Sequence, residues 1–250
     1  MKALNGLVLA GLAAAFIVFY VFPEADLAAT ALFYVPGKGF PLSVEAWVDR
    51  VRDTHMILGW VAGLVTLGLG IGLEVRRRRM ARGLADGALA RACGRLGLLG
   101  IPPRKCFYVV ACLVVAPVLI VNVGLKEHWG RARPSQTTEF GGTRTFTPAF
   151  VISDQCPRNC SFVSGEVSLG FWWTSFAFVA ATARRRRLIA AAGIATGTFL
   201  AFIRVGEGGH FLSDAVVAAL LTLGVCAVLH DLVFGGRKAR SAVEPAPGPV

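Results

Sequence analysis

The sequence has few charged residues. Of its 250 residues only 16% are charged while 55% are hydrophobic, and the mean hydropathy is +0.61. A soluble domain carries about 25% charged residues, so this shortage argues against a soluble protein and predicts a chain that crosses a membrane several times. Acidic residues are the scarcer sign: 15 Asp and Glu stand against 26 Lys and Arg, for a net charge of +11.

The excess positive charge is confined to short blocks. Arg76–Arg79, Arg184–Arg187 and Arg237–Arg240 each follow an apolar run. In a soluble protein this charge would suggest nucleic acid. Basic blocks after apolar runs are instead typical of membrane proteins, in which they face the cytoplasmic leaflet. We therefore expect no nucleic acid as a partner, and anionic lipids at the cytoplasmic face.

Apolar stretches close to the roughly 20 residues that cross a bilayer recur along the chain. The first lacks a small-residue cleavage site directly after it, which favours a retained helix over a signal peptide, the alternative interpretation of Lys2 and its apolar run. We predict an all-α bundle of six transmembrane helices in one domain, 1–235, followed by a disordered cytoplasmic tail, 236–250. The predicted spans are 6–23, 57–74, 106–125, 165–182, 188–204 and 211–234.

The basic blocks also predict the orientation. With a cytoplasmic N-terminus, the segments that carry the arginine blocks are all inside, as the positive-inside rule requires. The segments 24–56, 126–164 and the turn near 205–210 then lie outside, together with the polar clusters described next. We expect a bacterial inner membrane protein with both termini cytoplasmic and a site at the periplasmic face.

Cysteine pairs are scarce as well. Cys156 and Cys160 lie in a predicted outer loop, and no second ligand pair is near enough to complete a zinc site. In an oxidising compartment a disulfide is the favoured interpretation, and it would tether the chain just before Ser164. The remaining cysteines are expected to be small buried hydrophobic residues: Cys93, Cys106, Cys112 and Cys226.

The first polar cluster contains Lys126 and Arg133. They are seven residues apart, so both side chains can lie on one helix face before Pro134 stops the helix. Two cations at a membrane surface suit a phosphate dianion, and arginine can bind two of its oxygens. The alternative is that they extend to lipid headgroups. His128 and Arg131 lie nearby, and we expect Arg131 to face lipid or solvent.

The second cluster is Ser164-Gly165-Glu166, at the start of a predicted span. A Ser-Gly pair that opens a helix presents free backbone N–H groups and the positive end of the helix dipole to an anion. Such pairs also cap many ordinary helices. Glu166 is more informative, because a carboxyl group that enters a membrane helix is costly and is typical of a functional site.

The third cluster combines Arg204, His210 and Asp214. The last two are four residues apart at the start of a predicted span, so they share a face. A carboxylate that binds one imidazole nitrogen leaves the other nitrogen free to attack an electrophile. Glu207 could supply a second acid, but its place on a glycine-rich turn gives it little weight.

The order and spacing of the three clusters resemble the signature of the type 2 phosphatidic acid phosphatase superfamily, which consists of membrane lipid phosphatases. The similarity covers roughly 106–232. It implies that His210 is a nucleophile that forms a phosphohistidine and that Asp214 orients it. It implies no metal and no cofactor. The phosphate-binding groups that it implies are Lys126, Arg133, Arg204, Ser164 and the N–H of Gly165.

Two positions depart from the family pattern. The second motif usually reads Pro-Ser-Gly-His, but here it is Val163-Ser164-Gly165-Glu166, and Ile203 replaces the usual Ser before Arg204. The usual His protonates the leaving oxygen. We expect Glu166 to be the catalytic acid in its place, protonated at the leaving oxygen, which requires that burial raise its pKa. A better leaving group needs less acid, so the departure favours a polyprenyl diphosphate or the 1-phosphate of lipid A over phosphatidic acid or phosphatidylglycerophosphate. A lipid phosphotransferase and a non-catalytic lipid-phosphate binder or transporter remain the alternatives.

Overall fold

The regular structure is helical. The computed structural model describes residues 2–84, 87, 91 and 101–235, and within them it has no β-sheet, so the predicted all-α class is confirmed. Cys93, the Arg237–Arg240 block and the predicted tail 236–250 lie outside the described residues. The helices are α1 (Lys2–Val21), α2 (Glu24–Ala31), α3 (Ala46–Ala81), α4 (Pro103–His128), α5 (Gly165–Trp172), α6 (Ser175–Phe178), α7 (Ala183–Gly206) and α8 (Leu212–Phe234).

Among the described helices, α1, α3, α4, α7 and α8 are long and apolar enough to cross a membrane. Large apolar side chains are exposed on their outer faces, including Leu9 on α1, Leu64 on α3 and Leu232 on α8. Exposed apolar surface of this extent is stable against lipid and unfavourable in water. The protein is therefore a multi-pass membrane protein.

The predicted span 165–182 has a different form. It is divided into the short helices α5 and α6 next to Thr174, whose backbone N–H and hydroxyl both donate to the carbonyl of Phe171 (3.0 and 2.7 Å). Most of α5 is buried inside the bundle. Trp172 Nε1 donates to the carbonyl of Val109 on α4 (2.9 Å), and the Ser168 and Thr222 hydroxyls are 2.7 Å apart. The segment thus packs at the centre of the bundle instead of facing lipid.

The middle of α4 has wide π-helical turns. Pro117 lies inside the π-helical part, Val114–Leu125, and its carbonyl accepts a bond from Asn122 Nδ2 (2.6 Å). A proline has no N–H for the helix ladder, and π turns often occur at functional sites. The helix ends at His128, and Gly130 then takes a positive φ of 70° that reverses the chain.

The chain between α4 and α5 folds back over the helix ends. Its backbone is tied at several points: the Cys160 N–H donates to the Lys126 carbonyl (3.1 Å), and the Ser161 N–H donates to the Arg131 carbonyl (2.9 Å). Cys156 and Cys160 are joined by a disulfide with their Cα atoms 5.6 Å apart. These contacts hold residue 161 and the start of α5 beside the turn between α7 and α8.

Candidate active site

His210 lies in the turn between α7 and α8 and is almost fully buried. Its Nδ1 is 2.7 Å from the carbonyl oxygen of Ser161. A carbonyl can only accept, so Nδ1 carries the proton and Nε2 keeps a free lone pair. Burial lowers the pKa of His210 to about 3, although the neighbouring Asp214 opposes this shift. The imidazole is therefore neutral near pH 7, which is the state that a nucleophile needs.

Asp214 lies in the first turn of α8, whereas His210 precedes the helix. The carboxylate Oδ2 is 3.6 Å from His210 Nδ1, which is longer than a hydrogen bond. Oδ2 instead accepts from the Ser161 hydroxyl (2.5 Å) and the Phe211 N–H (2.9 Å). The expected direct bond between Asp214 and His210 is thus replaced by an indirect one. The Ser161 carbonyl binds the imidazole, and Asp214 binds the Ser161 hydroxyl.

Arg131 is fully buried, so the prediction that it faces lipid or solvent is wrong. Its Nη1 donates to Asp214 Oδ1 (2.7 Å) and its Nη2 donates to Asp26 Oδ2 (2.9 Å). Asp26, on α2, also accepts from the Ser213 N–H (2.8 Å). A buried charge needs a partner, and here one guanidinium forms ion pairs with two carboxylates. The available signal was Asp26 itself, an acid within the apolar environment of α2.

Lys126 and Arg133 do not share a helix face, and this prediction is also wrong. Lys126 lies in the last turn of α4, whereas Arg133 follows the Gly130 reversal in an extended conformation (φ −79°, ψ 153°). Pro134 disfavours a helical conformation in the residue before it. The two side chains still interact electrostatically with each other, and Lys126 also interacts with Arg204. The Arg133 Nη2 donates to the carbonyl of Asn159 (3.0 Å).

Ser164 and Gly165 open α5 as predicted, but their backbone is already partly used. The Ser164 N–H donates to the carbonyl of Asp214 (3.3 Å), and its hydroxyl lies 3.5 Å from the Val167 N–H as the helix cap. At Gly165 a Cβ would lie 2.6 Å from Asn122 Oδ1, so any larger residue would have to displace the Asn122 side chain. The glycine therefore lets the start of α5 approach the π-helical part of α4.

Glu166 forms an ion pair with Arg52 on α3. Arg52 Nε donates to Oε2 (3.0 Å) and Nη2 donates to Oε1 (2.9 Å), while Arg204 Nη1 is 3.7 Å away. The two bonds from Arg52 and the nearby guanidinium of Arg204 stabilise the charged form of this carboxylate, although burial opposes it. The sequence predicted a protonated acid, whereas this arrangement holds an ionised carboxylate.

Arg204 and Glu207 complete the charged group. Arg204 ends α7, is nearly fully buried, and pairs with Glu207 three residues later. Glu207 Oε2 also accepts from Arg52 Nη1 (3.2 Å). Glu207 is thus a buried partner of two arginines, not a residue on a mobile turn. The sequence analysis did not identify Arg52 and gave little weight to Glu207, because the contact between these two residues joins positions 155 apart. An arginine near the start of an apolar helix was the available signal.

A buried imidazole with several cations near it, carried by a bundle of membrane helices, is an arrangement that suits the binding of a phosphate group. Residues 107–237 match the PAP2 superfamily, and the chain belongs to that superfamily. The predicted family is therefore confirmed, and the protein is of the membrane lipid phosphatase class.

The similar curated proteins are all named lipid A 4'-phosphatase. The protein from Rhizobium etli is 42% identical over 230 residues, covering 86% of this chain and 81% of that protein. The one from Rhizobium leguminosarum is 32% identical over 228 residues, covering 86% and 90%. The one from Francisella tularensis subsp. novicida is 39% identical over 131 residues, covering 52% of this chain and 59% of that protein. No solved structure matches the chain.

Proposed function

We propose that the protein hydrolyses a phosphate monoester of lipid A, at the 4' position. The observation that carries this proposal is His210, whose Nδ1 is engaged by the Ser161 carbonyl so that Nε2 is free for attack on phosphorus. The names of the similar proteins supply the position on the lipid. They point away from the 1-phosphate that the sequence analysis favoured.

Several cations of the site can hold a phosphate group. Arg52, Lys126, Arg133 and Arg204 interact electrostatically with one another and with the carboxylates beside them. Arginine and lysine side chains that converge in this way suit the oxygens of a phosphate group.

The reaction proceeds in two displacements. The lone pair of His210 Nε2 attacks phosphorus, the ester P–O bond breaks, and the leaving oxygen takes a proton from water. The hydroxide formed in this way then attacks the phosphohistidine, the P–N bond breaks, and hydrogen phosphate leaves the neutral imidazole. Lys126, Arg133 and Arg204 stabilise the charge that develops on the phosphoryl oxygens. Solvent reaches the site at Arg52 and Glu166, whose side chains are 25% and 18% exposed.

We also propose six crossings, with the site at the periplasmic face of the inner membrane. The α5–α6 segment follows α4 from Asn122, which Gly165 touches, to Lys105, whose Nζ donates to the carbonyl of Val179 (2.8 Å). It therefore covers most of the length of α4 and acts as a buried sixth crossing. The arginine blocks at 76–79 and 184–187 lie at the ends of α3 and α7 that are farther from His210. This supports cytoplasmic termini, with anionic lipids at that face. We propose that residues 1–235 form one domain.

The test is phosphate release from lipid A by purified protein in detergent, with mass spectrometry of the lipid to locate the phosphate that is lost. We expect loss at the 4' position, and no turnover for His210→Ala. His128→Ala is the matched control, because that histidine is exposed and lies at the end of α4. Loss of the 1-phosphate would refute the position. Transfer of phosphate to an added acceptor lipid, with none released, would establish a phosphotransferase.

A further inference from the structure

Arg52 is an arginine that no motif of the superfamily includes. It lies on α3, outside the matched residues 107–237. Its side chain nevertheless reaches both carboxylates that surround Arg204: it donates to Glu166 at 2.9 and 3.0 Å and to Glu207 at 3.2 Å. Arg52 and Arg204 thus converge on the same pair of acids from two different helices.

Arg52 and Glu166 are each the ion-pair partner that the other needs in an apolar segment. An arginine in the first turns of a membrane helix is costly without a partner, and so is a carboxylate at the head of a buried helix. Glu166 is also the residue at which this chain departs from the usual Pro-Ser-Gly-His motif. A histidine there could not form the two parallel N–H···O bonds that the carboxylate forms with the guanidinium. The departure therefore brings an additional cation to the site.

We propose that Arg52 is an additional phosphate-binding residue and that Glu166 is its positioning residue; this inference rests on the phosphatase function proposed above. The fork of donors that binds a carboxylate also fits phosphate oxygens. The bonds of Arg52 use Nε and one N–H of Nη2 for Glu166, and Nη1 for Asp49 and Glu207. The second N–H of Nη2 remains for a phosphate oxygen.

Exposure places Arg52 at the mouth of the site. Its side chain is 25% exposed, against 2% for Arg204 at the buried end. A phosphate that enters toward His210 therefore meets Arg52 first and Arg204 last. Glu166 lies between the two guanidinium groups, and its negative charge offsets the repulsion between them. In this proposal the carboxylate positions Arg52 and does not transfer a proton.

The experiment compares Arg52→Ala, Arg52→Lys and Glu166→Gln with the wild type in detergent. The measurements are kcat and KM for phosphate release, and the affinity for orthovanadate followed by thermal shift. Losing a hydrogen-bonded charge at the phosphate should weaken vanadate binding and raise KM by about tenfold or more in Arg52→Ala. Arg52→Lys should recover part of the loss. Arg50→Ala, an exposed arginine two residues away, is the control for loss of charge.

The double variant Arg52→Ala/Glu166→Gln tests the positioning role and removes both charges if Arg52→Ala alone fails to fold. Because Glu166 acts through Arg52, the double variant should resemble Arg52→Ala and not show the sum of the two effects. Wild-type vanadate affinity in Arg52→Ala, or full additivity, would overturn the proposal. Vanadate binding does not depend on which lipid is the substrate, so failure to release phosphate from lipid A would refute only the proposed function.

Discussion

Replacement of Asp214 by Asn should slow the enzyme without abolishing turnover. The variant keeps an acceptor for the Ser161 hydroxyl, and the Ser161 carbonyl still fixes the tautomer of His210 from 2.7 Å. What is lost is the negative charge 3.6 Å from Nδ1. At that distance and an effective dielectric constant of about 20, the attraction to a full positive charge on the imidazole is about 4.6 kcal/mol.

Only part of that charge has developed in the transition state. With half of it, the loss is about 2.3 kcal/mol, or about 50-fold in kcat. The assay is the initial rate of phosphate release at saturating lipid, together with the thermal unfolding midpoint to show that Arg131, still paired with Asp26, keeps the fold. Asp231→Asn, near the other end of α8, is the matched control and should be neutral.

Two results would refute this reasoning. A folded Asp214→Asn protein as inactive as His210→Ala would show that the carboxylate, and not the Ser161 carbonyl, determines the tautomer. Unchanged kcat would show that the charge of Asp214 does not reach the imidazole, and that its bonds to Ser161 and Arg131 serve the fold alone.

Further outcomes follow from the same geometry. With the pKa of His210 near 3, kcat should not fall through protonation of the nucleophile until the pH approaches 3, and an acid limb near pH 6.5 that belongs to the enzyme would contradict this. Arg131→Met leaves two buried carboxylates unpaired and should cost about 3–5 kcal/mol of stability, measured by thermal unfolding against the exposed control Arg144→Ala; equal midpoints would contradict the burial. Replacing Cys156 and Cys160 by Ser opens a short loop and should cost about 2 kcal/mol; a much larger loss would show that the disulfide does more than close this loop. EDTA should leave activity intact, and inactivation reversed by added divalent metal would refute the histidine mechanism.

The sequence predicted the parts of the site that depend on local spacing. His210, Asp214 and Arg204 lie within one short stretch, so the turn between two apolar helices is enough to bring them near one another. The start of α5 at Gly165 was predictable for the same reason, since a Ser-Gly pair before an apolar run favours a helix start.

The contacts that the sequence did not predict are long-range or depend on a break in a helix. Arg133 does not lie on the predicted helix face, because the chain reverses at Gly130. The seven-residue spacing between Lys126 and Arg133 does not indicate that reversal. Arg52 and Glu166 are in contact although 114 positions separate them in the sequence, and Asp26 and Arg131 are in contact although 105 positions separate them. Pairings of this kind are decided by packing in three dimensions, for which a single sequence offers only the unusual presence of a charge in an apolar segment.

The two ion pairs that join Asp26, Arg131 and Asp214 extend beyond the region that matches the superfamily. The region shared with the superfamily begins at residue 107, yet Asp26 and Arg52 both precede it. A fragment cut at that boundary would leave Arg131 with one of its two carboxylates and Glu166 without its arginine. Grafting the shared region into another scaffold would therefore transfer the signature residues without the counter-charges that hold them. An engineer who wishes to move this chemistry must move α2 and α3 with it.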